Sequence, residues 1–279
     1  MSYEKAVEEH YLHGRLLDTI QESINKLGKI GNSVTIEDLA PVDEFHIGGR
    51  TATRNFLDQF DYSDKEHILD VGCGLGGASR YIADKYNIRV TGIDLTQEYI
   101  ITGNALSRWV NLDTKINLQH GSALSMPFQA NTFDGAYMMH VGMNIENKLK
   151  LFKEIYRVLR PGSFLGVYDV MQIQEGTLNY PVPWASKSDT SKLASPEQYT
   201  KFLHESGFEV SKVNNRRDFA LNFFNELRAK IDNGGSPPPL GLHILMKENT
   251  PLKIKNMIDN IDADYIAPVE IFAYKNGKI

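Results

Sequence analysis

Leu16, Leu17, Ile20, Ile24 and Leu27 recur at spacings of three and four, so residues 3–29 are predicted to form a helix with one apolar face. Val34 to Leu39 reads as a short turn or helix start, and Thr51 to Phe60 as a helix. From residue 67 the pattern changes to short apolar runs separated by helical stripes. The runs predict strands at 67–72, 88–94, 115–119, 133–139 and 164–170, followed by 208–215 and 267–275. Leu149, Phe152, Ile155, Tyr156 and Leu159 form the stripe of the helix before the fifth strand, which stops at Pro161-Gly162. Ser195-Pro196-Glu197-Gln198 is an N-terminal capping box for a helix ending at Gly207. Strand–helix alternation of this kind implies an α/β class protein: a doubly wound, mostly parallel, seven-stranded sheet covered on both faces.

Three stretches exceed that minimum: residues 1–50, a helical segment, and insertions at about 171–194 and 218–262 within the domain spanning 51–279. They are expected to lie as a lid over the carboxyl ends of the strands, where open α/β sheets bind ligands. Phe219, Leu221, Phe223, Phe224 and Leu227 give the second insertion enough apolar surface for an ordered cap. It also contains Asn233-Gly234-Gly235-Ser236-Pro237.

After the first strand comes Asp70-Val71-Gly72-Cys73-Gly74-Leu75-Gly76-Gly77, then a helix. Glycines there let the backbone turn and approach a ligand closely, and the helix start presents free amide groups. Gly72, Gly74 and Gly77 satisfy the dinucleotide fingerprint, so the glycines point to a nucleotide-like cofactor without choosing one. Asp70 suits a cationic ligand tail better than a pyrophosphate, since like charges repel. Asp94, at the end of the second strand, is placed to accept two ribose hydroxyls.

The ordered set His67–Gly77, Ile88–Leu95, Gly121–Phe128, Phe133–Tyr137 and Val158–Leu165 resembles class I S-adenosylmethionine-dependent methyltransferases over roughly residues 50–215. That resemblance implies a Rossmann-like methyltransferase fold, S-adenosylmethionine as cofactor with S-adenosylhomocysteine as product, and a small-molecule methyl acceptor. It assigns Asp70, Gly72 and Gly74 to the amino-acid tail of the cofactor, Asp94 to the ribose and Leu95 to the adenine. Ser122 and Ala123 fall where relatives place an acid and a small residue against the adenine amine, and Ser122 departs from the acid. Phe45-His46-Ile47-Gly48-Gly49-Arg50 resembles the junction found in methyltransferases of the phosphoethanolamine and sarcosine/dimethylglycine type, which implies that His46 and Tyr11 cover the cofactor. The ubiquinone/menaquinone methyltransferases share the central motifs.

His140 follows the fourth strand and is the candidate general base, because imidazole titrates near neutral pH; the alternative is that only its backbone or its packing matters. Tyr168, Asp169, Tyr180 and Trp184 combine aromatics with an acid and suit a cationic amine, so nitrogen methylation leads. O- or C-methylation of a phenol or quinone-like ring stays open, as does a non-catalytic cofactor-binding module. Asp70 and Arg160-Pro161-Gly162 disfavour a nicotinamide dehydrogenase. Arg50, Arg216 and Arg217 are candidates for an anionic group or plain solvated charges.

Charge and composition narrow the partners. The net charge of −5 over 279 residues argues against nonspecific nucleic-acid binding. No apolar run approaches the roughly 18 residues that span a bilayer. The N-terminal residues Met1 to His10 lack the apolar core of a signal peptide, so no membrane insertion and a cytoplasmic location are expected. Cys73 is the single cysteine, which forbids an intrachain disulfide and fits a reducing compartment. Eight scattered histidines show no ligand spacing, so no metal is expected.

Overall fold

The computed structural model describes residues 3–29, 33–64, 66–232 and 238–277; Asn233 to Pro237 lie outside the described residues. The helices are α1 (Tyr3–Tyr11), α2 (Leu16–Lys26), α3 (Ile36–Asp43), α4 (Gly49–Leu57), α5 (Gly77–Lys85), α6 (Gln97–Trp109), α7 (Lys148–Val158), α8 (Pro196–Glu205), α9 (Arg217–Asp232), α10 (His243–Met246) and α11 (Thr250–Asp262). The strands are β1 (His67–Val71), β2 (Arg89–Asp94), β3 (Ile116–His120), β4 (Phe133–Met139), β5 (Leu159–Gln172), β6 (Phe208–Asn215) and β7 (Ile266–Lys275). They form one sheet in the order β3-β2-β1-β4-β5-β7-β6. Only β7 runs antiparallel to its neighbours β5 and β6. The order reverses at β1, between β2 and β4, and the crevice beyond a reversal is where such sheets bind ligands.

Side chains alternate across each strand, and the two faces therefore carry separate cores. Leu69, Met138 and Val167 face Phe152, Ile155 and Tyr199 of α7 and α8. Ile68, Tyr137, Met139 and Tyr168 face Phe56 and Ile82 of α4 and α5. Helix α7 buries Leu151, Phe152, Ile155 and Val158, one residue offset from part of the expected stripe. It ends before Leu159, already extended at ψ 145°. Pro161 pushes its predecessor toward extended backbone, so β5 starts five residues earlier than the apolar run alone suggests.

The predicted 3–29 helix is two helices. Gly14, at φ +88°, takes the left-handed backbone that breaks them. The exposed amides are taken up by the Glu98 carboxylate, which accepts from His13 at 2.5 Å, Gly14 at 2.9 Å and Leu16 at 3.0 Å. The Thr35 turn is a full helix start with a capping box to Asp38. Helix α2 packs with α3, Tyr99 and Leu245 in a third cluster. Trp184, Val182 and Ile47 join Ala220, Phe224, Met257 and Ile261 in a fourth, so both insertions are packed elements. Among the described residues no helix is long and apolar enough to cross a membrane.

Candidate active site

Sheet topology brings the loop after β1, the end of β2 and the loop after β4 side by side. Gly72 and Cys73 donate to the Ile93 carbonyl at 2.8 and 3.1 Å, tying the glycine loop to β2. Gly72 sits at φ +70°, and a Cβ there would overlap Val141, so both conformation and packing demand glycine. Asp94 spans the crevice: Oδ2 accepts from the Gly74 amide at 2.9 Å and Oδ1 from the Thr96 amide at 2.8 Å. Each oxygen keeps a second lone pair. Burial raises its pKa, against those two bonds.

Asp70 is buried beneath the loop. Its Oδ2 accepts from Ser79 at 2.6 Å and from Tyr137 at 2.8 Å. Burial pushes its pKa up to about 7; the two hydroxyls oppose that, and Asp94 adds to it. A carboxylate held in this way gains from a cation placed beside it.

His140 occupies left-handed backbone at φ +56°, uncommon outside glycine. Its amide donates to the Tyr168 carbonyl at 2.7 Å, which holds that turn. The ring lies 5.0 Å from that of Tyr168 and 6.0 Å from that of His46, and its Nε2 is enclosed with no partner. Burial holds the imidazole well below its usual pKa, with His46 adding to it. His46 itself is lowered to about 4 by burial.

The N-terminal segment reaches the same place. Tyr11 donates to Asn144 Oδ1 at 2.9 Å, with its ring among Phe45 and Tyr99. Tyr3 donates to the Asn144 carbonyl at 2.8 Å. The Asn144 amide in turn donates to the carbonyls of Trp184 at 3.0 Å and Thr190 at 2.8 Å. Ser122, past β3, donates to Glu4 of α1. Ala123 packs on the first core, and Leu95 is partly exposed beside Asp94.

The four residues read as a substrate set do not gather. Adjacent strand residues point to opposite faces, so Tyr168 faces α4 and donates to the Ile47 carbonyl at 2.9 Å. Asp169 faces α8: its Oδ2 accepts from Tyr199 at 2.7 Å and its Oδ1 from the Val170 amide at 3.0 Å. Trp184 is buried, donating to Ser191 at 3.0 Å, and Tyr180 packs against the fourth cluster. Arg50 lies 2.9 Å from Glu44, Arg216 lies 3.4 Å from Glu270, and Arg217 pairs with Asp264. Glu4, Tyr137 and Asn144 were missed from sequence because their partners lie far away along the chain; Glu44 and Ser79 bond within nine positions, but across turns and loops that leave no periodic pattern. Among the described residues no group of three His, Cys, Asp or Glu is placed to hold a metal ion.

Comparison with known proteins agrees with this geometry. A family model described as "Methyltransferase domain" matches residues 69–167. The chain is 28% identical over 185 residues to phosphoethanolamine N-methyltransferase 3 of Arabidopsis thaliana, covering 66% of this chain and 36% of that protein. It is also 28% identical over 187 residues to an O-methyltransferase of Aspergillus sclerotiorum, covering 65% and 69%. The chain thus spans about a third of the length of the phosphoethanolamine relative. Geranyl diphosphate C-methyltransferase from Streptomyces coelicolor superposes with TM-score 0.71 at 17% identity, over 99% of this chain and 98% of that one, a likeness of fold. With the glycine loop, the two strand-end acids and the seven-stranded sheet in place, the chain carries a methyltransferase domain over residues 69–167.

Proposed function

We propose that this protein transfers a methyl group from S-adenosylmethionine to a small-molecule acceptor whose reacting atom meets His140. The observation that carries this reading is the enclosed, partnerless Nε2 of His140, on the turn whose next residue, Val141, packs against Gly72 of the glycine loop. A buried imidazole nitrogen left unpaired is costly, and a ligand that donates to it removes the cost.

The residues fit the cofactor. Asp70 Oδ1, free of the two hydroxyls on Oδ2, would take the ammonium of its tail beside the bare backbone of Gly72 and Gly74. Asp94 would accept the ribose hydroxyls, while Leu95, Ser122 and Ala123 would line the adenine. Tyr11 and His46 would cover it. When bound, the cofactor supplies an electrophilic methyl on a sulfonium, so direct displacement needs alignment and exclusion of water rather than a covalent enzyme intermediate. The chain's part is to hold the acceptor in line, to accept its proton at His140 Nε2, and to shut out solvent with α1 and the first insertion.

The acceptor is one that gives up a proton in the course of transfer: an ammonium, which must lose it before its nitrogen lone pair can attack, or a hydroxyl, which loses it as its oxygen attacks. Asp169, the acid that favoured an amine, is fully buried with Tyr199 on one oxygen and the Val170 amide on the other, so it gives nitrogen no advantage over oxygen. The relatives include both N- and O-methyltransferases by name. Purified protein titrated with S-adenosylmethionine, with NAD as control, then assayed with labelled methyl donor against amines and phenols, tests the reading. Specific binding and label transfer abolished by His140→Ala are expected. Failure of well-folded, cofactor-free protein to bind S-adenosylmethionine would overturn it, and binding without transfer to any acceptor would favour the regulatory module.

A further inference from the structure

Residues 44–48 link α3 to α4 and carry a buried acid that the proposed chemistry does not use. Glu44 is 1% exposed. Its Oε1 lies 2.9 Å from Arg50 Nε, an ion pair out of hydrogen-bond alignment, and its Oε2 accepts from the Thr53 hydroxyl at 2.6 Å. Removing a carboxylate from water costs several kcal/mol even when it is paired, and Arg50 alone, poorly aligned, does not account for its place.

The third neighbour does. His46 Nε2 lies 3.0 Å from Thr53 Oγ, 3.1 Å from the Gly49 carbonyl and 3.5 Å from Glu44 Oε2. A carbonyl can only accept, and so can Glu44 in its ionised form, whose pKa burial raises to about 7 against the pull of Arg50. The one Thr53 hydrogen is committed to Glu44, so toward His46 its oxygen is an acceptor as well. The Gly49 carbonyl requires the proton on Nε2, and with Glu44 ionised the other two neighbours require it as well, so Nδ1 is left bare.

We propose that Glu44 is a positioning residue: through Thr53 it locks His46 in its Nε2–H form, so that a bare Nδ1 nitrogen stands in the histidine pair with His140. The bonds run head to tail, Nε2–H to Oγ and O–H to Oε2, and such a chain polarises its members in one direction. It makes Nδ1 a stronger acceptor for an N–H or O–H group than an isolated imidazole provides. Burial keeps the ring neutral near pH 7, so the position of its single proton matters. The junction is anchored as well: Asp43, next to Glu44, pairs with Arg80 of α5 at 2.7 Å with both side chains fully buried. The consequence for turnover rests on the methyl-transfer reading; the tautomer does not.

The test is nitrogen-15 histidine NMR of the full chain bound to S-adenosylmethionine, with methyl-transfer kinetics on the first acceptor turned over. Wild type is expected to show His46 as a single Nε2–H tautomer. Thr53→Val, which leaves only the Gly49 carbonyl to hold the proton on Nε2, should give a tautomer mixture and lower kcat at least tenfold, with KM for the cofactor within about threefold, and Glu44→Leu, which removes the acceptor of the Thr53 hydroxyl, should do the same. Thr53→Ser, which keeps the hydroxyl, should restore both. An unchanged tautomer in Thr53→Val would overturn the proposal, as would a changed tautomer with unchanged kcat. If no acceptor is turned over, the function reading fails while the NMR result still decides whether Glu44 sets the tautomer.

Discussion

Asn144→Ala is the most informative single change, because three chain segments meet on that side chain. The substitution removes the bond from Tyr11 and the two donated to Trp184 and Thr190; the bond from Tyr3 to the backbone carbonyl survives. At about 0.5–1.5 kcal/mol per net hydrogen bond the loss is roughly 1.5–4.5 kcal/mol, and buried partners left unpaired push it toward the upper end. Because α1 is a peripheral helix, much of that should appear as easier local opening rather than global unfolding. A loss of about 3 kcal/mol is roughly a hundredfold more opening. Hydrogen exchange should therefore accelerate by one to two orders of magnitude in 3–11 and 183–191, with β1, β4 and β5 unchanged. Tyr11→Phe, which removes a single bond, should show about a tenth of that acceleration. Asn144→Asp retains the acceptor but turns a carboxylate toward two carbonyls, and should open the segment at least as much as alanine. Unchanged exchange in 3–11, or uniform acceleration across the sheet, would refute the idea that Asn144 latches the N-terminal segment.

Asp94→Ala should weaken S-adenosylmethionine binding by about 1–3 kcal/mol, since ribose hydroxyls and two backbone amides lose their acceptor; calorimetry showing unchanged affinity would remove Asp94 from the ribose. His140→Ala should lower turnover by about 10²–10⁴ as expected for loss of a general base, with little change in cofactor affinity; equal losses in both would make the residue structural. Asp70, raised to about 7 in the folded chain, stabilises the ligand-free protein most below the ordinary carboxylate pKa, and that contribution disappears as pH rises through about 7. Asp70→Asn should thus raise the ligand-free melting temperature at pH 8 but not at pH 4, and weaken cofactor binding at pH 8. For the same reason, wild-type cofactor affinity should fall as pH drops below 7, and a flat profile would refute a cation contact at Asp70.

Local pattern determined the framework. Alternating apolar runs specify seven strands, glycines specify the loop, and acids at the ends of β1 and β2 are legible because a strand's end and a turn's needs are local matters. The helix break at Gly14 was less visible, since it depends on Glu98 lying 82–85 positions away in sequence. Tertiary structure decided everything that requires two distant segments to meet. It separated Tyr168 from Asp169, because the pleat sends neighbours to opposite faces whatever their shared chemistry. It placed Asp169 in the core against Tyr199, a partner that composition does not reveal. It joined Tyr3 and Tyr11 to Asn144, and Glu44 to Thr53 and His46, through bonds that leave no periodic signature. Hydrophobic spacing records which face of an element is buried, whereas the partner of a polar atom is chosen by packing across the fold.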